Sequence, residues 1–336
     1  MAIGCADGYG NSAEQIIMAL ERRGVRCILD WTAKPVGHVR ALELFAREYE
    51  EGDARLYFTQ PHAWDRRTSA PIYGWTMYES DMLPERWLHR MGNVDELWVP
   101  STWLVDVFAE ATGREVHVVP LGVNADDFPV RPRVRGDKLR ILTFSTQASE
   151  TRKGTDIAIN AFAAAFHGRS DVELVIRSTW ACETAFALDD PRVTLQQGPL
   201  ETSELAEFYA GFDVLLYPSK SEGFGMIPLE FMCSGGPAIF ADATGPHDYA
   251  EFGLTVSSQK APAMVGVGRG DASTTPYGSW YEPNFAELVD RLRDIDGDYY
   301  TIQAMAVANA ARIGKQWSWE RTTDRIIERL EYRLGR

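Results

Sequence analysis

Short apolar runs alternate with helical patterns along almost the whole chain. Nothing else in the sequence limits its fold so strongly. Runs rich in Val, Ile and Leu, each followed by a stretch of helical period, mark strand–helix–strand units with a parallel sheet. In the first part, strands are predicted at residues 2–6, 25–30, 54–60, 72–77, 96–100 and 116–120, and helices at 12–23, 38–49, 84–91 and 102–112. Pro84 suits the first turn of its helix and Ser101 an N-cap. Residues 122–138 are polar, carry two prolines and have no apolar period, and read as a linker. A second series follows, with strands at 139–145, 172–178, 193–196, 214–217, 238–241 and 254–256. Its helices are predicted at 154–166, 203–211, 225–234 and 285–295, and two more close the chain at about 300–313 and 319–334. The fold class is therefore α/β, with two Rossmann-like domains. The 336 residues agree, since domains run to roughly 150 residues each. Residues 258–283, rich in Gly, Ser and Pro, read as a long functional loop.

Composition narrows the partners. The net charge is −14, divided as 12 Lys+Arg against 20 Asp+Glu up to residue 130 and 22 against 28 beyond it, so both parts are acidic, −8 and −6. Nucleic acids and anionic bilayers select clustered Lys and Arg, so a nucleic-acid acceptor is disfavoured though not excluded. There is no apolar run of the roughly 18 residues that a membrane helix needs, and stable membrane insertion is not expected. The N-terminus, MAIGCADGYG, lacks the features of a secretory signal. Cys5, Cys27, Cys182 and Cys233 have neither zinc-site nor disulfide spacing and suit a reducing, cytoplasmic setting.

The stretch PSKSEGFGMIPLEFMCSGGP, residues 218–237, carries the most specific chemistry. A strand ends before it and a helix starts near Gly225. Gly223 and Gly225 let the backbone approach a ligand, and the N–H groups and dipole of the helix start favour phosphate. Glu222 in the loop and Glu230 in the helix can accept hydrogen bonds from sugar hydroxyls. Arg152 and Lys153 follow a strand, at the sheet edge where open α/β sheets bind ligands, and a cationic pair there stabilises a departing diphosphate. Gly8 and Gly10 stand at a strand-to-helix turn able to face a phosphate. TMYESDMLP, residues 76–84, lies at the end of a predicted strand, and its candidate residues are Glu79 and Asp81, with Tyr78 adjacent. His62 and His247 are weaker candidates. Asp296–Gly297–Asp298 falls between two helices and reads as a solvated turn, so no metal ligand is assigned.

These stretches resemble the retaining glycosyltransferases of family 4, which have the GT-B fold. The resemblance covers nearly the whole chain and is strongest over residues 95–255 and at Trp319–Glu320. Besides the glutamate stretch it rests on ELWVPSTWLVDVFAEATG, VHVVPLGVNADDF, RKGTDIAINAF, VTLQQGPLETSELAEFYAGFDVLLYPS and FADATGPHDYAE. It implies two sheets facing across a cleft and a C-terminal helix crossing back to the N-terminal domain. The expected domains are 1–122 plus about 317–336 for the acceptor, a linker at 123–138, and 139–316 for the donor. The implied donor is a nucleoside diphosphate sugar, UDP- or GDP-linked, with no further cofactor and no required metal. Transfer would go with retention to a hydroxyl of a small molecule, polysaccharide or protein. By resemblance, Glu222 would hold donor-sugar hydroxyls. Backbone amides of Gly223, Phe224, Gly225 and Met226 would meet sugar and diphosphate, Lys153 the diphosphate, and Glu230 the ribose. Pro199 and Leu200 would lie beside the base. Glu79 and Asp81 would be the candidates for orienting an acceptor hydroxyl or taking its proton. The chain departs from the family at Gln147, where an Arg is usual, so Arg152 or Arg177 would supply the second positive charge. The alternatives are a sugar-nucleotide epimerase of the same fold or a non-catalytic sugar-nucleotide-binding protein.

Overall fold

The computed structural model describes residues 8–28, 52–66, 68–145, 151–179, 189–264 and 277–335. The strand expected at 2–6 and the helix expected at 38–49 lie outside them, as do Cys5, Cys182 and Gln147. Of the strand expected at 25–30, residues 25–28 are described and form no strand.

Two compact units result. The first comprises residues 8–78, 82–122 and 316–335 of the described chain, and the second 79–81 and 123–315. In the first unit, β1 (Arg55–Phe58), β2 (Ile72–Trp75), β3 (Glu96–Val99) and β4 (Val116–Val118) form a parallel sheet in sequential order. Its central strands are buried on both faces. Ile72, Leu97 and Val99 pack with Trp64, with Trp87 of α2 (Glu85–Met91), and with Leu104 and Phe108 of α3 (Thr102–Thr112). Trp98 of β3 meets both Tyr73 and Trp75 of β2, and Phe58 meets Trp75. The first helix, α1 (Gly8–Arg22), and the last, α9 (Trp319–Leu334), lie in this unit and are joined by Arg22–Glu320 and Arg23–Asp324 pairs. Arg329 of α9 reaches Glu96 Oε1 at 2.9 Å. Gly122 allows the close approach of α9, because a Cβ there would lie 2.5 Å from the Trp319 nitrogen.

The second unit is built on a six-stranded, all-parallel sheet. Its strands are β5 (Leu139–Ser145), β6 (Val172–Ser178), β7 (Val193–Gln197), β8 (Val214–Tyr217), β9 (Ala238–Ala241) and β10 (Leu254–Val256), in the order β10-β9-β8-β5-β6-β7. One face packs on α4 (Thr155–Ala165) and α7 (Phe285–Gly297), through Ala158, Ala161, Phe162, Leu288 and Leu292 against Ile141, Leu174, Leu216 and Ile239. Further helices are α5 (Thr202–Ala210), α6 (Met226–Cys233) and α8 (Tyr299–Gln316). The order matters for function. Three strands step outward from β5 on one side and three from β8 on the other, so the direction of winding reverses between β5 and β8. The loops leaving the carboxyl ends of two such neighbours part, and open α/β sheets bind ligands there.

Residues 123–138 sit with the second unit. The buried Arg133 guanidinium donates to the carbonyls of Phe212, Tyr209 and Ser234 and lies 4.6 Å over the Phe231 ring. Two local expectations are corrected. The Gly/Ser/Pro-rich segment 258–283 is not loop throughout: β11 (Ser258–Pro262) and β12 (Ser279–Pro283) pair antiparallel, with Lys260 opposite Tyr281 and Ala261 opposite the buried Trp280. One anchoring tryptophan outweighs the turn-prone composition. The turn 296–298 is not simply solvated, since the Asp296 carboxylate receives Arg135 at 2.7 Å and Arg169 at 2.8 Å.

Candidate functional site

The loops leaving β5 and β8 bring together the cationic and acidic residues singled out in the sequence. Residues Thr151–Lys153 form one 3₁₀ turn after β5, so Lys153 precedes α4 rather than opening it. Gly154 follows with φ +65°, and a Cβ there would lie 2.2 Å from the Pro218 carbonyl oxygen. The two loops are thus in backbone contact, and Lys220 N donates to the Arg152 carbonyl at 2.8 Å. The Gly154→Ala substitution is expected to cost about 2–4 kcal/mol, since it adds both a clash and a strained φ. Urea unfolding would measure the loss. A variant as stable as the wild type would refute this close packing.

Four groups converge on Glu222 Oε1. Lys153 Nζ and Ser219 Oγ donate to it at 2.6 Å each and the Tyr217 hydroxyl at 2.8 Å, while Arg152 Nη1 lies 3.1 Å away. Among the described residues, none is bonded to Oε2. Glu222 and Lys153 are both buried. Burial alone would raise the Glu222 pKa, but Lys153 and then Arg152 outweigh it and hold it near 2. Tyr217 carries its hydroxyl well above the usual phenol range, mainly through burial, so it remains a donor. Lys153 also donates to the Tyr217 oxygen at 2.6 Å. Tyr217 ends β8 just before the 218–237 stretch, and Ser219 is the second residue of that stretch. Their place in the sequence announced them, but their chemistry did not.

Beyond Glu222 the backbone is tightly specified. Gly225 has φ +90° and caps α6, and a Cβ on it would lie 2.5 Å from the Tyr249 hydroxyl. That hydroxyl donates to the carbonyls of Phe224 and Gly225. Glu222 N donates to Thr244 Oγ1 at 3.1 Å, and Gly245 N donates to the Glu222 carbonyl at 2.9 Å. Thr244 itself holds φ +55°, unusual for a β-branched residue and characteristic of ligand-binding turns. The segment Gly223–Met226 is therefore held from behind by the turn 244–249.

Glu230 stands in the fifth position of α6, and the Tyr209 hydroxyl donates to its Oε2 at 3.1 Å. Burial, with a repulsive contribution from Asp127, pushes its pKa up to about 8. The two glutamates of one motif thus have opposite character at neutral pH. Tyr209, on α5, carried no sequence signal as a partner of Glu230.

Pro199 and Leu200 form an exposed turn after β7. Arg177 lies under it, donating to the Gly198 carbonyl with its guanidinium 5.5 Å over the Phe208 ring. Of the two candidates for the second positive charge, the structure therefore places Arg152 beside Glu222 and Arg177 at the 198–200 turn.

In the first unit, Gly8 and Gly10 are corrected from a strand-to-helix turn to the first turn of α1 itself. Tyr9 anchors that turn. Its ring lies 5.2 Å from Phe58, and its hydroxyl accepts from Met77 N at 3.0 Å. The segment that follows, with Glu79, belongs to the second unit, where the Glu79 carbonyl accepts from Trp280 Nε1 at 2.8 Å. His247 is exposed and pairs with Asp242 at 2.6 Å, and His62 lies in the short 3₁₀ turn Pro61–Ala63. Among the described residues no cluster of His, Cys, Asp or Glu is arranged to hold a metal ion, and no helix is long and apolar enough to cross a membrane.

Residues 101–326, which include Arg152, Lys153, Glu222 and Glu230 but not the Glu79 segment, match the sequence model of the family described as family 4 glycosyltransferases in conflict systems. The chain belongs to this family. Among curated relatives, a D-inositol 3-phosphate glycosyltransferase of Acidothermus cellulolyticus is 30% identical over 177 residues, 45% of this chain and 38% of that protein. A GDP-mannose-dependent alpha-mannosyltransferase of Mycolicibacterium smegmatis is 28% identical over 169 residues, 48% of this chain and 43% of the other. The chain thus matches less than half the length of these two relatives. Among solved structures, sucrose-phosphate synthase from Thermosynechococcus elongatus aligns with a TM-score of 0.59 at 16% identity, covering 80% of this chain and 69% of that one. The pneumococcal O-GlcNAc transferase GtfA, solved with UDP and GlcNAc, aligns at 0.55 with 14% identity, covering 80% and 53%. These likenesses show the fold: two Rossmann-like units of the GT-B type.

Proposed function

We propose that this member of the family transfers a sugar from a nucleoside diphosphate sugar to an acceptor hydroxyl, with retention at the anomeric carbon and without a metal ion. The observation that carries the reading is the meeting of Lys153, Arg152 and Glu222 between the carboxyl ends of β5 and β8, at the reversal of winding.

The proposed roles combine the geometry with the family resemblance. Glu222 is ionised and held through Oε1, so Oε2 serves a donor-sugar hydroxyl. Lys153 and Arg152 face the negative charge that builds on the leaving diphosphate, aided by the N–H groups at the start of α6. The glycine backbone from Gly223 to Met226 admits sugar and diphosphate closely. Glu230 binds the ribose, and the exposed Pro199–Leu200 turn lies beside the base. Among the described residues we assign no side chain as a nucleophile, and a path in which the leaving phosphate takes the acceptor proton is the proposed one, with Glu79 orienting the acceptor. Of the similar proteins described above, one is GDP-mannose-dependent by name and one was solved with UDP, which supports a donor linked to GDP or UDP.

A thermal-shift series with UDP, GDP, ADP, dTDP and their sugars, with and without EDTA, tests the donor site. A nucleotide at a hundred times its Kd stabilises by about 2.7 kcal/mol. One hit that persists in EDTA is the expected result. No shift with any nucleotide would sink the reading, and a shift abolished by EDTA would sink its metal-independent part. The anomeric signal of the first product, followed by NMR, decides retention.

A further inference from the structure

One strand outside the matched motifs touches both sets of candidate residues. In β12, Trp280 is buried and donates from Nε1 to the Glu79 carbonyl at 2.8 Å. Its neighbour Tyr281 donates from its backbone N to the Lys220 carbonyl at 2.8 Å, two residues before Glu222. The preceding residue, Ser279, donates its N–H to Asp81 Oδ1 at 2.6 Å, while Lys260, opposite Tyr281 on β11, reaches Asp81 Oδ2 at 2.7 Å. Ser80 Oγ donates to the Tyr277 carbonyl at 2.7 Å. Residues 79–81 are therefore fixed by bonds to Ser279 and Trp280 of β12, to Lys260 of β11 and to Tyr277 just before β12.

We infer that β12 is a brace which sets the Glu79 segment in register with the Glu222 loop, with Trp280 and Asp81 as positioning residues for catalysis. The geometry is economical. Trp280 and Tyr281 are adjacent, and adjacent strand residues project their side chains to opposite faces. Trp280 uses its side chain toward Glu79, whereas Tyr281 uses its backbone toward Lys220. A rigid strand therefore fixes the separation of two loops that come from distant parts of the chain. Misplacing a reacting group by about an ångström can cost a hundredfold in rate, so a device of this kind has catalytic value without touching substrate. The inference relies on the proposed function for the roles of Glu79 and Glu222, but the brace itself does not.

Trp280→Phe keeps an aromatic ring and removes the N–H. Asp81→Asn keeps the shape and weakens the bonds to Ser279 and Lys260. Hydrogen exchange read by mass spectrometry is expected to speed by about tenfold or more at amides 79–82 in both variants, with the sheet amides of β5 and β8 unchanged. With UDP-glucose and GDP-mannose as probes and water as acceptor, turnover should fall about tenfold while UDP or GDP affinity stays within about twofold. Adding Glu79→Gln to Trp280→Phe should cost little more, because both act through one segment. Unchanged exchange at 79–82, or losses that multiply in the double variant, would overturn the inference. Should Trp280→Phe fail to fold, Asp81→Asn carries the same comparison. If the wild type binds neither nucleotide, it is the proposed function that falls, and the exchange data still decide the brace.

Discussion

Lys153→Ala is expected to reduce sugar transfer by about a thousandfold, the scale of losing a preorganised charge on a developing anion. It should also destabilise the fold by about 3–5 kcal/mol, as breaking a buried ion pair does. The second effect follows directly from the structure. Lys153 Nζ lies 2.6 Å from a buried carboxylate held near pKa 2, and without it Glu222 keeps, among the described residues, only Arg152 as a cationic partner. The two effects separate in a double variant. Lys153→Met combined with Glu222→Gln removes both charges, so stability should return to within about 1–2 kcal/mol of wild type while activity stays lost. Lys153→Arg should rescue neither, since Nζ is also 2.6 Å from the Tyr217 hydroxyl and a planar guanidinium is wider than an ammonium. Urea unfolding and donor consumption measure the two quantities on the same samples. Wild-type turnover in Lys153→Ala would remove this residue from the mechanism.

The second sheet was the most readable part of the sequence, for a physical reason. Parallel strands covered on both faces become nearly continuous apolar runs, and LRILTFS, VELVIRS and VLLY show their limits directly. Glycine and charge marked the loops at Gly154, Glu222 and Gly225, where positive φ or close approach leaves little choice of residue. What stayed hidden was partnership across sequence distance. Nothing in α5 announces that Tyr209 will hold Glu230, and nothing in residues 123–138 announces that Arg133 will bind three carbonyls. The GYG triplet reads in sequence as a strand-to-helix turn, but the structure places it within a helix. Its glycines begin a helix, and the tyrosine between them clamps the end of β2. Trp280 sat in a segment whose composition spoke for a loop, because composition averages over residues and a single indole does not.

Glu230 gives the chain a pH dependence that Glu222 does not share. Its folded pKa of about 8 stands above the ordinary 4.5, so the folded protein holds a proton there that an unfolded chain has released. The stability linked to that proton is present in full below pH 4.5. It declines as pH rises and is gone once pH passes 8, a fall on the order of 5 kcal/mol. Glu222, held near 2 when folded, is ionised in both folded and unfolded chains above about pH 5.5 and adds little slope from there upward. Cys233, pushed up to about 12, stays protonated across the window in which Glu230 titrates. Glu230→Gln, which mimics the neutral acid, should therefore flatten unfolding free energy measured between pH 5 and 8.5. Binding should run the other way. Ribose hydroxyls are donors, and the acceptor that suits two of them is the carboxylate, so on the proposed function the nucleotide displaces the Glu230 proton. Affinity for UDP or GDP should then strengthen with pH, by up to about tenfold per unit, and level off near 8. Calorimetry in buffers of different ionisation enthalpy would register about one proton released at pH 7. Glu230→Gln should bind more weakly at pH 8 and lose the dependence. A wild-type affinity that is flat from pH 6 to 8, with no proton released, would mean that the ribose is held by the neutral acid or elsewhere. The motif's two glutamates would then differ in role as well as in charge.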